Sequence, residues 1–219
     1  MFYIEWVDEF WGNFWGQEGK RIEQLRKSDV NALAGDRKAF LALALRNLRA
    51  DVESMPVLNS WMLRFGSKYP DLRGIWARQL LDEQKALDSM ESKLKKAGGD
   101  VWNYELNPFF KEGWKMMSET QDLRDIVAFG LTFETEHYLH HVNLGSAAMR
   151  NGDLELGLPY MEVLAPDEYR HCTMIYSYII AKYFVRPDDK ALLLEKMKEY
   201  AGLVVRDAED YGKFLAERI

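Results

Sequence analysis

The sequence predicts an all-α fold, and three observations predict it. Apolar residues recur at three- and four-residue spacing through most of the 219 positions. No stretch of useful length alternates with a period of two. Residues that start or stop helices (Gly35, Pro56, Gly98, Gly99, Gly152, Pro166) fall between the periodic segments. Together they predict one domain, 1–219, folded as a bundle of seven or eight helices.

Residues 2–27 are predicted helical, with Trp6, Phe10, Trp11, Phe14 and Trp15 crowding the first half. Such a face packs its helix onto the domain, walls a ligand pocket, or covers a second copy of the chain in a homodimer. After a connection over 28–35, a helix from 36 to about 54 presents Leu41, Leu45, Leu48, Val52 and Met55. Pro56 is expected to end it, with a short helical piece at 59–64. The next helix, 71–96, carries the stripe Trp76, Leu80, Leu87, Met90 and Leu94, and Glu83 occupies the position that completes its spacing. A buried unpaired carboxylate costs several kcal/mol, so Glu83 calls for a cation or an arginine. Helices over 108–119 and 122–150 follow, then a loop or short helix at 153–165 containing Pro159. Pro166 suits the first position of a helix reaching about 185. The last helix, 188–218, buries Met197, Ala201, Val204, Tyr211 and Phe214, with Asp207 beside that stripe.

Composition narrows the classes. Apolar residues at 47% and charged residues at 29% exclude a disordered chain. A net charge of −6 without a Lys/Arg stripe argues against nucleic acid as a partner. No apolar run approaches the ~20 residues that a membrane span needs. The single cysteine, Cys172, suits a reducing compartment, and the acidic, aromatic start lacks the basic region of a secretory signal. A cytoplasmic protein is expected.

The chemistry concentrates where the histidines are. Three of the four lie in Glu134-Thr135-Glu136-His137-Tyr138-Leu139-His140-His141, and the fourth in Glu168-Tyr169-Arg170-His171. On a helix, Glu134, His137 and His141 share a face roughly 60° wide, and Glu136 and His140 point to the other side. Gly130 and Gly145 on that face are expected to leave space beside it. Two Glu-x-x-His pairs on separate helices are the core-facing ligand pattern of carboxylate-bridged di-iron and di-manganese sites. Glu83, Glu134, His137, Glu168 and His171 are therefore the candidate metal ligands. Asp207, which interrupts an apolar face, is the candidate further carboxylate, ahead of Asp51 and Asp167. His141, one turn beyond His137, is a further ligand or a catalytic proton donor. Cys172 reads as a small core residue.

The order of these motifs over roughly 36–215 resembles the haem-oxygenase-like di-iron oxidases, whose architecture is shared with TenA-type thiaminases and the PQQ-synthesis oxidase. The segment Leu80-Leu81-Asp82-Glu83-Gln84 is similar to that family's first ligand helix, Glu134 matches a ligand in a later helix, and Glu168 with His171 matches its final acid-x-x-His pair. Two departures are Met90 and Leu164, where the family has histidines. The resemblance implies two iron ions per chain, Fe(II) or Fe(III), or a manganese–iron pair, that activate O2 to oxidise a small metabolite. A ferritin-like four-helix bundle, a metal-free TenA-like hydrolase or cofactor-processing enzyme, and a non-catalytic metal- or ligand-binding protein are the alternatives.

Overall fold

Helical periodicity dominates the described structure as it does the sequence. The computed structural model describes residues 37–216 together with Glu5, Glu9, Gly12 and Asn13. The aromatic segment predicted as a helix over 2–27 lies outside the described residues. Within them are six helices and no strand: α1 (Arg37–Phe65), α2 (Pro70–Lys96), α3 (Pro108–Glu119), α4 (Leu123–Arg150), α5 (154–183) and α6 (Pro187–Ala216). The predicted seven or eight include the segment outside the described residues, and within the described ones two predicted breaks are absent.

The first is at Pro56, which sits inside α1 instead of ending it. Its side chain is on the exposed face, while Val57, Leu58, Trp61 and Phe65 beyond it are buried. A mid-helix proline costs about 3 kcal/mol. Four buried apolar side chains at about 1.5–3 kcal/mol each outweigh it. The second is at 153–166, where Leu154–Pro159 runs without interruption into the segment after Pro166. Tyr160–Leu164 and His171–Tyr176 are π-helical turns within α5. The first supplies the wider turn that the proline ring at 166 needs against the carbonyl of Glu162, so the helix bends past Pro166 and continues.

Caps set the remaining boundaries. Asn107 accepts from Phe110 N at 2.7 Å to start α3, Asp122 accepts from Arg124 N at 2.9 Å to start α4, and Gly152 takes a positive φ of 77° after α4. On α6, Met197, Ala201 and Val204 are buried as predicted, and the side chains of Tyr211 and Phe214 lie outside the described set.

The core is divided in two. One apolar cluster gathers Trp61, Trp76, Ile126, Phe129, Tyr176 and Tyr200, and the other gathers Phe40, Leu48, Met90, Leu144, Tyr160 and Leu164. Each of α1, α2, α4 and α5 contributes to both clusters and passes from one to the other partway along its length. The passage falls at Asp51 on α1, Glu83 on α2, Glu134 to His141 on α4, and Glu168 to His171 on α5. A buried polar layer thus crosses the bundle between two apolar halves.

Candidate metal centre

The layer is built from helical spacing. Glu134 and His137, and likewise Glu168 and His171, are one turn apart on α4 and α5 and turn inward together. Asp51 and Glu83 stand in the buried stripes of α1 and α2, both nearly inaccessible to solvent. Ligand atoms of Glu83, Glu134, Glu168 and His171 lie within 4.8 Å of one another, and so do those of Asp51, His137 and Glu168. Glu168 belongs to both groups, so the two positions are adjacent and share a carboxylate. These buried residues could hold metal ions: four carboxylates and two imidazoles from four helices.

The two groups differ in how their atoms are satisfied. His171 Nδ1 is 2.9 Å from Glu134 Oε2 and 3.3 Å from Glu168 Oε2, while its Nε2 is 3.3 Å from Asp82 Oδ2. Asp82 is in turn held by Arg170 at 3.2 Å. Glu134 Oε1 accepts a hydrogen bond from Gln79 Nε2 at 2.7 Å, and Gln79 Oε1 accepts one from the Tyr176 hydroxyl at 3.4 Å. In the other group, His137 Nδ1 is 3.4 Å from Asp51 Oδ1. Neither Asp51 oxygen nor His137 Nε2 makes a hydrogen bond of good geometry.

Charge is crowded here. Burial raises the Glu83 carboxyl well above its ordinary value, helped by the anions of Asp51 and Glu134. Burial and the Glu134 charge do the same to Glu168. Burial also pushes Glu134 upward, but the Glu168 hydrogen bond and the His171 charge outweigh it and hold Glu134 at about 2. Burial disfavours a charged His171, and Glu134 and Asp82 overcome this and raise it well above its usual range. His137 is raised too, Asp51 overcoming its burial. His141, fully enclosed, is lowered to about 4 by burial and by the charge of His137. Several buried carboxylates, two of them driven toward protonation, and two orphaned oxygens fit a cation.

Of the predicted site residues, Glu83, Glu134, His137, Glu168 and His171 converge. Asp207 does not join them. It pairs with buried Arg46 and accepts from Asn107 Nδ2 at 3.1 Å, so arginine, not a cation site, answers its charge. The missing carboxylate is Asp51, ranked behind Asp207 from sequence. Its signal was Ala44, Leu48, Asp51 and Leu58, an acid within a buried stripe as at Glu83. Asp167 is taken by Lys85 and Arg170, each at 2.5 Å.

Glu136 and His140, expected to face solvent or a neighbouring helix, take the second course and are buried, with His140 Nδ1 at 3.1 Å from Asn47 Nδ2 of α1 and 3.6 Å from Glu136 Oε1. The run Ile126-Val127-Ala128-Phe129-Gly130-Leu131-Thr132-Phe133 signals a helix enclosed on every side. One further expectation changes: the space expected at Gly130 and Gly145 is filled. A Cβ at Gly130 would meet Tyr176 Cζ at 2.1 Å, and one at Gly145 would meet Met161 Cγ at 2.8 Å. Two open clefts, of about 680 and about 800 Å³, are lined by none of the predicted site residues.

No family model, no curated protein and no solved structure matches the chain. No helix among the described residues is long and apolar enough to cross a membrane.

Proposed function

We propose that the chain is an O2-dependent, non-haem di-metal oxidoreductase, holding two irons or a manganese–iron pair and acting on a small metabolite. The observation that carries this reading is the sharing of Glu168 by two adjacent buried ligand groups. Hard carboxylate oxygens suit manganese and iron, imidazole suits iron, and no thiolate belongs to either group. When bound, such a pair supplies the one-electron steps that reaction with O2 requires.

The chain's own residues have definable tasks. Glu168 is the bridging carboxylate between the positions. Asp82 behind His171 Nε2 fixes the ring's orientation and leaves Nδ1 toward the carboxylates. Gln79 occupies Glu134 Oε1, which directs Oε2 inward. The apolar clusters on both sides exclude water and strengthen every electrostatic contact between them. A metal-free hydrolase has less support. The Cys172 thiol meets the Thr135 hydroxyl at 3.4 Å and burial pushes its pKa up, which makes it a poor nucleophile.

The test is anaerobic loading with Fe(II), alone and with Mn(II), followed by metal analysis and O2 uptake. About two metals per chain and oxygen consumption are expected. Two metals without oxygen consumption would overturn the oxidoreductase reading and leave a metal-binding protein. No retained metal would remove the site.

A further inference from the structure

His141 takes part in none of the hydrogen bonds around the polar layer. It is entirely enclosed on α4, and neither ring nitrogen has a partner. Burying a polar atom without a hydrogen bond is costly, and this ring carries two such atoms. One turn earlier, at i−4, stands His137, with the ring centroids 5.8 Å apart and the planes at 43°. That is the spacing by which two imidazoles of one helix grip one ion. A metal–nitrogen bond of about 2.1 Å plus a ring radius of about 1.1 Å puts each centroid about 3.2 Å from the ion. A separation of 5.8 Å then corresponds to two rings at a wide angle about a single cation.

The environment agrees. The Asp51–His137–Glu168 group offers three protein ligands and the Glu83–Glu134–Glu168–His171 group four. The poorer group contains the orphaned Asp51 oxygens and lies on the His141 side of α4. Beyond His141, the Tyr160 ring lies 5.5 Å away, and its hydroxyl is buried and unpartnered. A ligand histidine gives its second N–H to an oxygen behind it, and the Tyr160 hydroxyl is an unpartnered oxygen on the neighbouring ring.

We propose that His141 is a metal ligand, completing the Asp51–His137–Glu168 position with a second imidazole, and that the Tyr160 hydroxyl holds its other nitrogen. The inference rests on the di-metal reading above. As the side chains stand, the 4.8 Å group does not include His141, so ligation swings its ring toward Asp51. The consequence is an asymmetric pair. One position has three carboxylates and one imidazole, the other two carboxylates and two imidazoles. The nitrogen-rich position favours Fe(II) or Co(II) over Mn(II), whereas the carboxylate-rich one suits Mn(II).

Co(II), added anaerobically to the metal-free full chain, tests this without reference to activity. Proton NMR of the loaded protein counts paramagnetically shifted, solvent-exchangeable imidazole N–H signals. Two Co(II) per chain with three such signals, from His137, His141 and His171, is the expected result. Two Co(II) with only two signals overturns the inference and spares the di-metal reading. Fewer than two Co(II) overturns both. His141→Ala should weaken one equivalent tenfold or more and leave the other within about twofold. Equal weakening of both equivalents, or of neither, in a folded variant counts against the assignment. Should the variant not fold, the signal count on the unmutated chain decides.

Discussion

The two halves of the polar layer make a natural comparison, since they share Glu168 and little else. The Glu83, Glu134 and His171 half has an internal counter-ion: His171 sits between Glu134 and Asp82, and Gln79 satisfies the outer oxygen of Glu134. The Asp51 and His137 half has only long ion-pair contacts, His137 Nδ1 to Asp51 Oδ1 at 3.4 Å and His137 Nε2 to Glu136 Oε2 at 3.9 Å, and neither Asp51 oxygen nor His137 Nε2 makes a good hydrogen bond. Protons and hydrogen bonds answer most of the charge in the first half, whereas the second leaves more of its polar atoms without a good hydrogen bond. Glu134 is partly exposed and the other ligands of both halves are buried, so burial alone does not distinguish the halves; the number of donors aimed at each carboxylate does.

The largest expected effect comes from removing what the halves share. Glu168→Ala should abolish tight binding of both metals, lowering affinity on the order of 100-fold or more, because ligation is lost at both positions. Equilibrium dialysis reads this directly, and a variant that keeps one equivalent at full affinity would show that Glu168 does not bridge.

The next substitutions should lower metal-free stability unequally. Glu134→Ala strips buried His171 of its main counter-ion and should cost about 3–5 kcal/mol. Asp51→Ala removes the long His137 contact but also a carboxylate without a good hydrogen bond, and should cost less than about 1 kcal/mol. At about 2–4 °C per kcal/mol for a chain of this size, thermal melts in chelator separate the two. Equal falls in melting point would erase the distinction between the halves.

Metal should enlarge the effect of the second substitution. Binding at ~100 times Kd stabilises the folded state by about 2.7 kcal/mol. In the unmutated chain this is a rise of about 5–10 °C with Fe(II) or Mn(II) under anaerobic conditions. Asp51→Ala should lose part of that rise, and His137→Ala likewise.

A pH dependence sharpens the contrast further. His171 and His137 are raised in the folded state, so their contribution is complete below the unfolded histidine value of about 6.5 and fades as pH climbs through the folded values. Glu83 and Glu168, also raised, retain protons that the unfolded chain has released, which gives the same sign. Each retained proton is worth about 1.4 kcal/mol per pH unit. His141, lowered to about 4, acts oppositely but only below about 6.5. Metal-free protein should therefore lose stability above pH 6.5, whereas metal-loaded protein should hold it, since ligation replaces those protons. Urea unfolding at pH 6.5 and 8.5 is the measurement; a rise in metal-free stability over that interval would contradict the assignment.

The smallest effect on metal content is expected at Asp207. Asp207→Ala leaves Arg46 buried without its carboxylate and should cost about 3–5 kcal/mol in folding, yet both metal equivalents should stay. Loss of one equivalent would place Asp207 back among the ligands.

What depends on spacing along one helix could be read from the residue order alone. Two Glu-x-x-His pairs face inward because residues three apart share a helix face, and Glu83 is buried because it completes a stripe of apolar neighbours. Those relations survive any arrangement of the helices. Which partner each buried acid receives is set by how the helices pack. Asp207 and Asp51 look alike in sequence, each an acid beside or within an apolar face. The rotation of α6 brings Asp207 to Arg46, and that of α1 brings Asp51 to His137. The same holds for Pro56 and Pro166, where local preference favours a break and burial of the following turns overrides it. Gly130 and Gly145 show it most simply. A glycine announces that something approaches closely, but only packing says whether the visitor is a ligand or, as here, the side chains of Tyr176 and Met161. A carboxylate's charge is written in one residue, whereas its neutralisation requires a second group brought from elsewhere in the chain, and that meeting is a property of the fold.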